Sequence, residues 1–288
     1  MRKMGKIAVS RSEKLFDVLN HLLMIGLCLI MLYPFVHITS IAFSTQAESL
    51  RPGLHLYPRE FDSKAFLRVL NTSDLWTAYM NTLFRTVVGT VLSVLVTSMG
   101  AYVITKKYLP SRKLITTMIL FTMYFNGGLI PTYMVMRGLK LLDNVWVMIL
   151  PNLVWGFNII IMKNFFQQIP ESLEESARID GASDFRIFCQ IIIPLSLPVV
   201  ATIALWMAVF HWNAYFDNLM YITDRSKYVL QRMIRNLIID NAVENMGEGA
   251  PESLKSATIL IATLPILLVY PFAQKYFIKG VMVGAVKG

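Results

Sequence analysis

Long apolar segments without any charged side chain alternate with short polar stretches along the chain. Six such segments cover residues 18–47, 86–105, 114–136, 144–162, 187–216 and 256–274. Each is close to, or longer than, the ~20 residues that a helix needs to cross the hydrocarbon core of a bilayer. The pattern therefore predicts an all-α membrane protein with six transmembrane helices.

Basic residues cluster beside these apolar segments. Residues 1–17 hold five Lys or Arg side chains against Glu13 and Asp17, and residues 106–113 hold four more. Because Lys and Arg are enriched in loops on the cytoplasmic side of a membrane, both stretches are predicted to be cytoplasmic. Counting six spans from the N-terminus also places the C-terminus and the loop between spans four and five in the cytoplasm.

These counts predict three parts of the chain. Residues 1–17 form a cytoplasmic N-terminal segment, residues 18–280 a six-span transmembrane domain, and residues 281–288 a cytoplasmic tail. Within the domain, the polar residues 217–255 are expected to form an external loop with a short amphipathic helix and an exposed tip. Residues 126–131, which contain two glycines and a proline, interrupt the third span. This break either lines a solute path, forms a packing kink or ends the span.

Composition narrows the class of protein. The chain is 55% hydrophobic and 16% charged, with a mean hydropathy of +0.54, which is too apolar for an ordinary soluble protein. The net charge of +9 comes from the clusters that flank the apolar segments, so we expect no nucleic-acid partner. Cys28 lies in the first apolar segment and Cys189 in the stretch of residues 170–194 that leads into the fifth, a distribution that does not indicate a disulfide framework.

The most informative polar stretch follows the fourth predicted span. Three acidic residues come soon after Pro170: Glu171, Glu174 and Glu175. Acidic side chains are favourable at the start of a helix, near the positive end of its dipole, and Pro is common there. We expect a short helix that runs to about Asp180 and breaks at Gly181, because glycine readily adopts positive φ.

This stretch resembles the EAA loop of ABC-importer permeases. The resemblance is carried by Glu175-Ser176-Ala177, by Gly181 and by Ile191-Ile192-Ile193-Pro194 at the family's spacing. In that family the loop is a coupling helix that docks on the ATP-hydrolysing subunit, and the resemblance implies this role for residues 170–190. The residues expected to take part are Glu171, Glu174, Glu175, Ser176, Ala177, Asp180, Gly181 and Ala182. The alternative is an ordinary amphipathic connector between two spans.

The resemblance extends to the carbohydrate branch of these permeases, the MalG-type subunit of maltose-type importers, and within it to permeases for oligosaccharides or polysaccharides. Five stretches carry it: residues 126–133, 164–166, 179–182, 211–213 and 280–288. It implies a second homologous permease, two ATP-binding-cassette subunits and an external solute-binding protein, assembled in the bacterial cytoplasmic (inner) membrane. Residues 217–255 have their own composition, so the sugar stays open between neutral and acidic ones such as alginate-type or pectin-type fragments. Which of the two permeases contacts the sugar also stays open.

The sequence contains no motif for hydrolysing ATP or holding a metal. A Gly-x-x-x-x-Gly-Lys-Ser/Thr stretch, which would cradle nucleotide phosphates, is missing, and the four histidines are scattered. We therefore expect a non-enzymatic transport subunit without a bound cofactor or metal, with ATP and Mg held by the partner ATPase subunits. The apolar segments also lack the acidic residues of a proton relay, which argues against a proton-coupled carrier.

Aromatic and amide side chains are candidates for a sugar path, since rings stack on the apolar faces of sugars and amides bond to hydroxyls. The candidates are Asn126, Trp155, Trp206, His211, Trp212, Asn213 and Tyr215. Aromatic belts at the two membrane surfaces explain such residues at least as well.

Other functions are compatible with the same pattern. A membrane receptor or anchoring subunit would use residues 170–190 to recruit a cytoplasmic ATPase without moving solute, and an ABC-importer permease could serve a solute other than a sugar. ATP-dependent uptake into reconstituted vesicles separates transport from anchoring. An intramembrane enzyme would need a nucleophile and a base on facing helices, and the sequence offers no such pair.

The tip of the external loop generates the first test. Asn245, Gly247 and Gly249 lie in a stretch with few apolar groups to bury, so it should be exposed. In related importers the equivalent loop reaches into the binding protein, and the resemblance implies the same contact for these residues. Deletion of residues 245–249 should lower solute uptake while the complex still assembles with its ATPase. Unchanged uptake kinetics in membrane vesicles would remove this role.

Overall fold

The structure is a computed structural model that describes residues 11–236 and 252–285, with side chains described for residues 12–236 and 252–268. The loop tip with Asn245, Gly247 and Gly249 lies outside the described residues. The helices are α1 Arg11–Ala42, α2 Gln46–Ser49, α3 Lys64–Leu70, α4 Ser73–Thr105, α5 Arg112–Tyr124, α6 Leu129–Gly138, α7 Gly156–Phe166, α8 Glu171–Ile179, α9 Asp184–Ile187, α10 Ile193–Leu195, α11 Leu197–Asn213, α12 Phe216–Tyr221, α13 over residues 230–236 and α14 Glu252–Ala285.

Short irregular turns complete the described chain. Tight 3₁₀ turns cover Val145–Met148, Leu150–Asn152 and Arg225–Lys227, and a π-helical turn over Phe188–Ile192 joins α9 to α10. Within the described ranges β-pairing is limited to one isolated bridge, between Ser44 and Phe61. The all-helical fold predicted from the apolar pattern is therefore confirmed for these residues.

Two helices in the described ranges, α1 and α4, are long and apolar enough to cross a membrane unbroken. Three further candidates are bent pairs: α5 with α6 at 116°, Val145–Asn152 with α7 at 50°, and Asp184–Leu195 with α11 at 83°. If each pair is one span, this part of the chain has up to five. The sixth predicted segment falls within α14, whose side chains are described only to residue 268. The count of six spans thus stays a prediction.

The sharpest bend lies at the predicted break in the third span. Residues 125–128 separate α5 from α6, and Gly128 has a φ of 86°, a conformation that suits glycine. The Asn126 side-chain oxygen accepts a hydrogen bond of 2.8 Å from the Gly128 N–H, which stabilises the turn. Pro131 is the third residue of α6, where a missing N–H costs no helical bond.

The chain divides into two compact units. The first contains α1 to α3 and the beginning of α14, and the second contains α4 to α13 and the rest of α14. In the first unit, Ile41 and Ala42 at the end of α1 are buried, and Phe43 stacks on Phe61 with ring centres 5.7 Å apart.

The core of the second unit lies where α4, α7 and α11 pack together. Its buried apolar side chains include Ala101 and Tyr102 from α4, Met162 from α7, and Ile203 and Met207 from α11. The π-helical turn adds Phe188 and Ile192. This core joins α4 to both of the bent segments that flank α8.

Helix α4 begins well before the charge-free segment that was used to predict it. The second span was predicted to start at Thr86, but α4 starts at Ser73 and includes Arg85. The charge of Arg85 set the predicted start of the span at the next residue. In the structure Arg85 lies inside the helix, where Asp217 compensates its charge.

The polar residues after position 217 are also more closely packed than an exposed loop. Tyr221, Ile222 and Val229 are buried together with Val147 and Met148. The predicted amphipathic helix corresponds to α13, where Leu230 and Ile234 are buried. The first half of the segment predicted to be an external loop is therefore packed in a second buried cluster, and residues 237–251 lie outside the described residues.

Gly89 of α4 lies directly against the side chain of His211 in α11. A β-carbon on Gly89 would lie 2.6 Å from Nε2 of His211, which is fully buried. On the same helix, a β-carbon on Gly100 would meet no heavy atom within 4 Å.

We therefore expect Gly89→Ala to destabilise the purified chain by about 1–3 kcal/mol, the usual cost of overpacking. Gly100→Ala is the matched control and should leave stability unchanged or slightly higher, because alanine is the better helix former. Thermal unfolding of the detergent-extracted proteins measures both. Equal melting temperatures for the two variants would contradict the proposed packing.

Candidate functional site

Helix α8 carries the sequence that resembles a coupling helix. Pro170 lies at the cap position before it, and Glu171 and Glu174 occupy its first turn. The carboxylates at this end are favourable with the helix dipole. The helix thus begins where the sequence predicts.

The end of α8 is closed by a Schellman motif. Gly181 has a φ of 79°, the Gly181 N–H donates to the Arg178 carbonyl at 3.0 Å, and the Ala182 N–H donates to the Ala177 carbonyl at 2.9 Å. A β-carbon on Gly181 would meet no heavy atom within 4 Å, so the requirement for glycine comes from its backbone conformation rather than from space. The predicted break at Gly181 is confirmed, and α8 ends without unpaired carbonyls at these positions.

A largely buried ion pair joins α8 to the end of α4. Glu174 pairs with Lys106, the residue that follows α4, and their side chains are 19% and 9% exposed. The Lys106 ammonium group also lies 3.7 Å from the ring centre of Tyr102, and the Tyr102 hydroxyl donates to Glu174 at 3.4 Å. A cation placed on an aromatic face is attracted by the ring quadrupole. Both charges of the pair are thereby fixed in position.

A second ion pair between the same two elements is exposed to solvent. Lys107 lies 2.7 Å from Glu171, and the two side chains are 75% and 65% exposed. The hydrogen bond from Lys107 lowers the pKa of the Glu171 carboxyl. An exposed pair of this kind contributes little to stability, because water screens the two charges.

Arg178 and Tyr108 tie α8 to the start of α9. Arg178 donates to the Asp184 carboxylate at 2.9 Å, and the Tyr108 hydroxyl donates to the same carboxylate at 3.2 Å. The bond from Arg178 is the main cause that lowers the pKa of Asp184. A cleft of about 270 Å³ lies between α8 and residues 105–112.

Two large hydrophobic side chains are exposed where α8 leads into α9. Ile179, the last residue of α8, is 86% exposed, and Phe185 in α9 is 67% exposed. Glu175, Ser176 and Asp180 are exposed beside them. Exposed apolar groups rimmed by polar ones are typical of a protein contact surface.

The predicted coupling residues therefore divide into two sets. Ala177 and Ala182 pack against the core, and Glu171 and Glu174 bond to the basic segment after α4. The exposed set is Glu175, Ser176, Asp180 and Gly181. Sequence reasoning missed Lys106, Ile179 and Phe185. The signal for the last two was available, because they are large apolar residues within a polar stretch.

The candidates for a sugar path fall in three separate places. Asn126 stabilises the bend between α5 and α6. Trp155 and Trp206 lie between α7 and α11, where Trp155 packs edge-on against Phe210 at 4.8 Å and Trp206 stacks with Phe157 at 6.0 Å. The other four candidates cluster around the end of α11: His211, Trp212, Asn213 and Tyr215.

The candidates around the end of α11 differ in their exposure. His211 and Trp212 are buried in packing, and the Trp212 ring meets Tyr79 edge-on at 5.8 Å. Asn213 is exposed and donates to the Val209 carbonyl at 2.9 Å. The hydroxyl of Tyr215 accepts a hydrogen bond of 2.7 Å from Arg235. Of these four, Asn213 and Tyr215 are the side chains that reach the surface in this structure.

A second buried ion pair holds α4 in its first half, at Arg85. Arg85 is fully buried, and one of its nitrogens donates to the Asp217 carboxylate at 2.9 Å and to the Ala214 carbonyl at 3.1 Å. Nearby, Asn81 donates to the carbonyl of Ser226 at 2.8 Å, and Thr82 accepts from the backbone N–H of Leu230 at 2.8 Å. Helix α4 thus fixes the chain from residue 214 to residue 230.

Asp143 holds the turn that follows α12. Its carboxylate accepts hydrogen bonds from the Thr223 hydroxyl, from the Thr223 N–H at 2.7 Å and from the Asp224 N–H at 3.0 Å. These bonds, led by the one from the Thr223 hydroxyl, lower the pKa of Asp143 to about 2. The carboxylate therefore stays ionised and keeps its three acceptor bonds at neutral pH.

Comparison with known families decides what kind of protein has this arrangement. Residues 14–283 match the model of the binding-protein-dependent transport system inner membrane component. The chain belongs to this family. It is therefore a permease component of a transport system, and its long apolar helices agree with a place in the membrane.

Individual relatives cover nearly the whole permease. It is 41% identical over 284 residues to the polygalacturonan/rhamnogalacturonan transport system permease protein YtcP of Bacillus subtilis, covering 96% of this chain and 99% of that one. It is 42% identical over 286 residues to protein LplC of the same species, covering 97% of each. A solved bacterial ABC transporter involved in the import of the acidic polysaccharide alginate contains a similar chain. That chain has a TM-score of 0.88 and 36% identity, covering 94% of this permease and 100% of the solved chain.

The buried pair at Arg85 generates a stability test. Asp217→Asn leaves the Arg85 charge buried without its counter-ion, which should destabilise the permease by about 3–5 kcal/mol. The matched control is Asp224→Asn, which removes the charge of a solvent-exposed pair with Lys227 but leaves an amide oxygen that can accept the hydrogen bonds from Ser226, so it should cost far less. Thermal unfolding in detergent compares them. A control that unfolds as early as Asp217→Asn would show that burial of the pair is not the cause.

Proposed function

We propose that this permease is the transmembrane subunit of a binding-protein-dependent ABC importer for an oligosaccharide or polysaccharide, and that its substrate is acidic. The observation that carries this proposal is the full-length similarity to a permease named for polygalacturonan and rhamnogalacturonan transport. The similar chain in the alginate importer supports an acidic sugar, since polygalacturonan and alginate both carry carboxylates.

The proposed complex has four further parts. A second homologous permease pairs with this chain in the bacterial cytoplasmic membrane, two ATP-binding-cassette subunits bind ATP and Mg on the cytoplasmic side, and an external solute-binding protein delivers the sugar. This permease crosses the membrane several times, and α8 lies on the cytoplasmic side with the basic residues 106–113. It holds no nucleotide itself.

Helix α8 is the proposed contact with the ATPase. Its exposed Ile179 and the neighbouring Phe185 offer apolar area, and Glu175 and Asp180 add charge at the rim. An interface of this composition, apolar at the centre and polar at the edge, is typical of protein complexes. Movement of the ATPase subunits on ATP binding and hydrolysis would then act on the permease through α8.

Transport by the assembled complex tests the function. The complex is reconstituted in vesicles with ATP inside and is offered its binding protein loaded with oligogalacturonides, rhamnogalacturonan fragments or alginate oligosaccharides. We expect ATP-dependent uptake of at least one of these acidic sugars and none of neutral maltooligosaccharides. ATPase recruitment without uptake of any of them would favour an anchoring subunit instead.

Two substitutions in α8 test the contact with the ATPase. Gly181→Val forces a β-branched residue into positive φ, at a local cost of about 1–3 kcal/mol, and Glu175→Lys reverses an exposed charge. Both should leave the permease inserted and paired with its sister subunit but weaken its retention of the ATPase. Gly181→Asn is the matched control, since asparagine tolerates this backbone conformation.

The measurement is co-purification of the ATPase subunits from detergent extracts, together with the stimulation of ATP hydrolysis by loaded binding protein. If Gly181→Val and Glu175→Lys keep full retention and full stimulation, α8 is not the coupling helix.

A further inference from the structure

Two buried ion pairs hold α4, one at Arg85, twelve residues after its start, and one at Lys106, the residue that follows its last turn. Arg85 pairs with Asp217 in α12, and Lys106 pairs with Glu174 in α8. Lys106 follows Arg85 by 21 residues, which correspond to about 31 Å along a helix. That length matches the ~30 Å of the hydrocarbon core, so the two pairs lie near opposite faces of a membrane that α4 crosses.

We infer that α4 is the strut which connects α8 to the external segment of residues 214–230, and that Lys106 and Glu174 are the positioning residues at its cytoplasmic joint. This inference rests on the proposed role of α8 as the contact with the ATPase. The ion pair between Lys106 and Glu174 would then pass a displacement of α8 on to α4.

Burial is the reason that this pair, rather than its neighbour, can transfer a displacement. Lys106 is held between Glu174 and the ring of Tyr102, and Tyr102 itself belongs to the buried core of the second unit. If α8 moved without α4, the largely buried Lys106 would lose its carboxylate, and Glu174 would keep only Arg178 of its own helix, 3.8 Å away. In the exposed pair of Lys107 and Glu171, water can replace either partner, so that pair transfers little.

A displacement of α4 would reach the predicted external segment through the contacts of Arg85, Asn81 and Thr82. Arg85 holds Asp217 and the Ala214 carbonyl, and Asn81 and Thr82 hold the chain near residues 226–230. This segment leads directly into the part of the sequence that is predicted to meet the binding protein. Helix α4 thus offers a continuous connection between the contact for the ATPase and the external surface.

The test compares two adjacent lysines in the assembled complex, with its sister permease, ATPase subunits and loaded binding protein. Lys106→Met should keep the ATPase bound, because the exposed side chains of α8 and α9 are unchanged. It should lower the stimulation of ATP hydrolysis by loaded binding protein by about fivefold or more, the lower range of measured couplings between sites. Lys107→Met is the matched control and should be stimulated like the wild type.

Two more variants separate a joint from a merely structural pair. Lys106→Arg retains the cation and should restore most of the stimulation. The double variant Lys106→Met with Glu174→Gln leaves no unpaired buried charge, so it should fold even if the single variant does not, and its stimulation should stay low. Recovery of stimulation in the double variant would overturn the inference, as would equal stimulation in Lys106→Met and Lys107→Met.

Failure of the proposed function looks different. In that case Gly181→Val and Glu175→Lys would retain the ATPase fully, or no acidic saccharide on the binding protein would stimulate ATP hydrolysis by the wild-type complex. The inference about Lys106 and Glu174 would then lose its basis as well. If those controls behave as proposed and only the Lys106 variants are stimulated normally, the contact with the ATPase stands and the joint alone is wrong.

Discussion

A charge that leaves water for an apolar environment needs a partner close by, and α4 meets this requirement twice. Arg85 and Lys106 would each be costly to bury alone, but Asp217 and Glu174 compensate them. Because those partners lie on α12 and α8, neither element can take an arbitrary position relative to α4. Between the two ion pairs, the apolar side chains of α4, α7 and α11 pack into the core.

The closure of α8 adds a second constraint. With its last carbonyls bonded at Gly181 and Ala182, the helix ends within the polar stretch and the chain turns directly into α9. The turn brings Arg178 onto Asp184, so that α8 and α9 are connected by side chains as well as by backbone. With the two helices fixed in this way, the exposed apolar side chains at their junction stay available for a partner protein.

Local patterns were enough to predict the helical class and the form of α8. The apolar segments indicated helices, and the glycine at 181 indicated the end of α8, because both signals depend on a few neighbouring residues. Arg85 misled the prediction of α4, since a sequence does not show that Asp217, 132 positions away, will compensate its charge. For the same reason Glu174 could not be separated from Glu175. One of them bonds to Lys106 and the other faces outward, and that difference is decided by tertiary packing.

The contact between Gly89 and His211 limits how the membrane helices can move. The imidazole ring fills the position that a side chain at residue 89 would occupy, so a rotation of α4 about its axis would bring Val88 or Thr90 against the ring. Rotation of α4 about its own axis is therefore opposed at this contact with α11. The bends at residues 125–128 between α5 and α6 and at Ser196 before α11 are the breaks in the helices where a hinge motion meets no such contact.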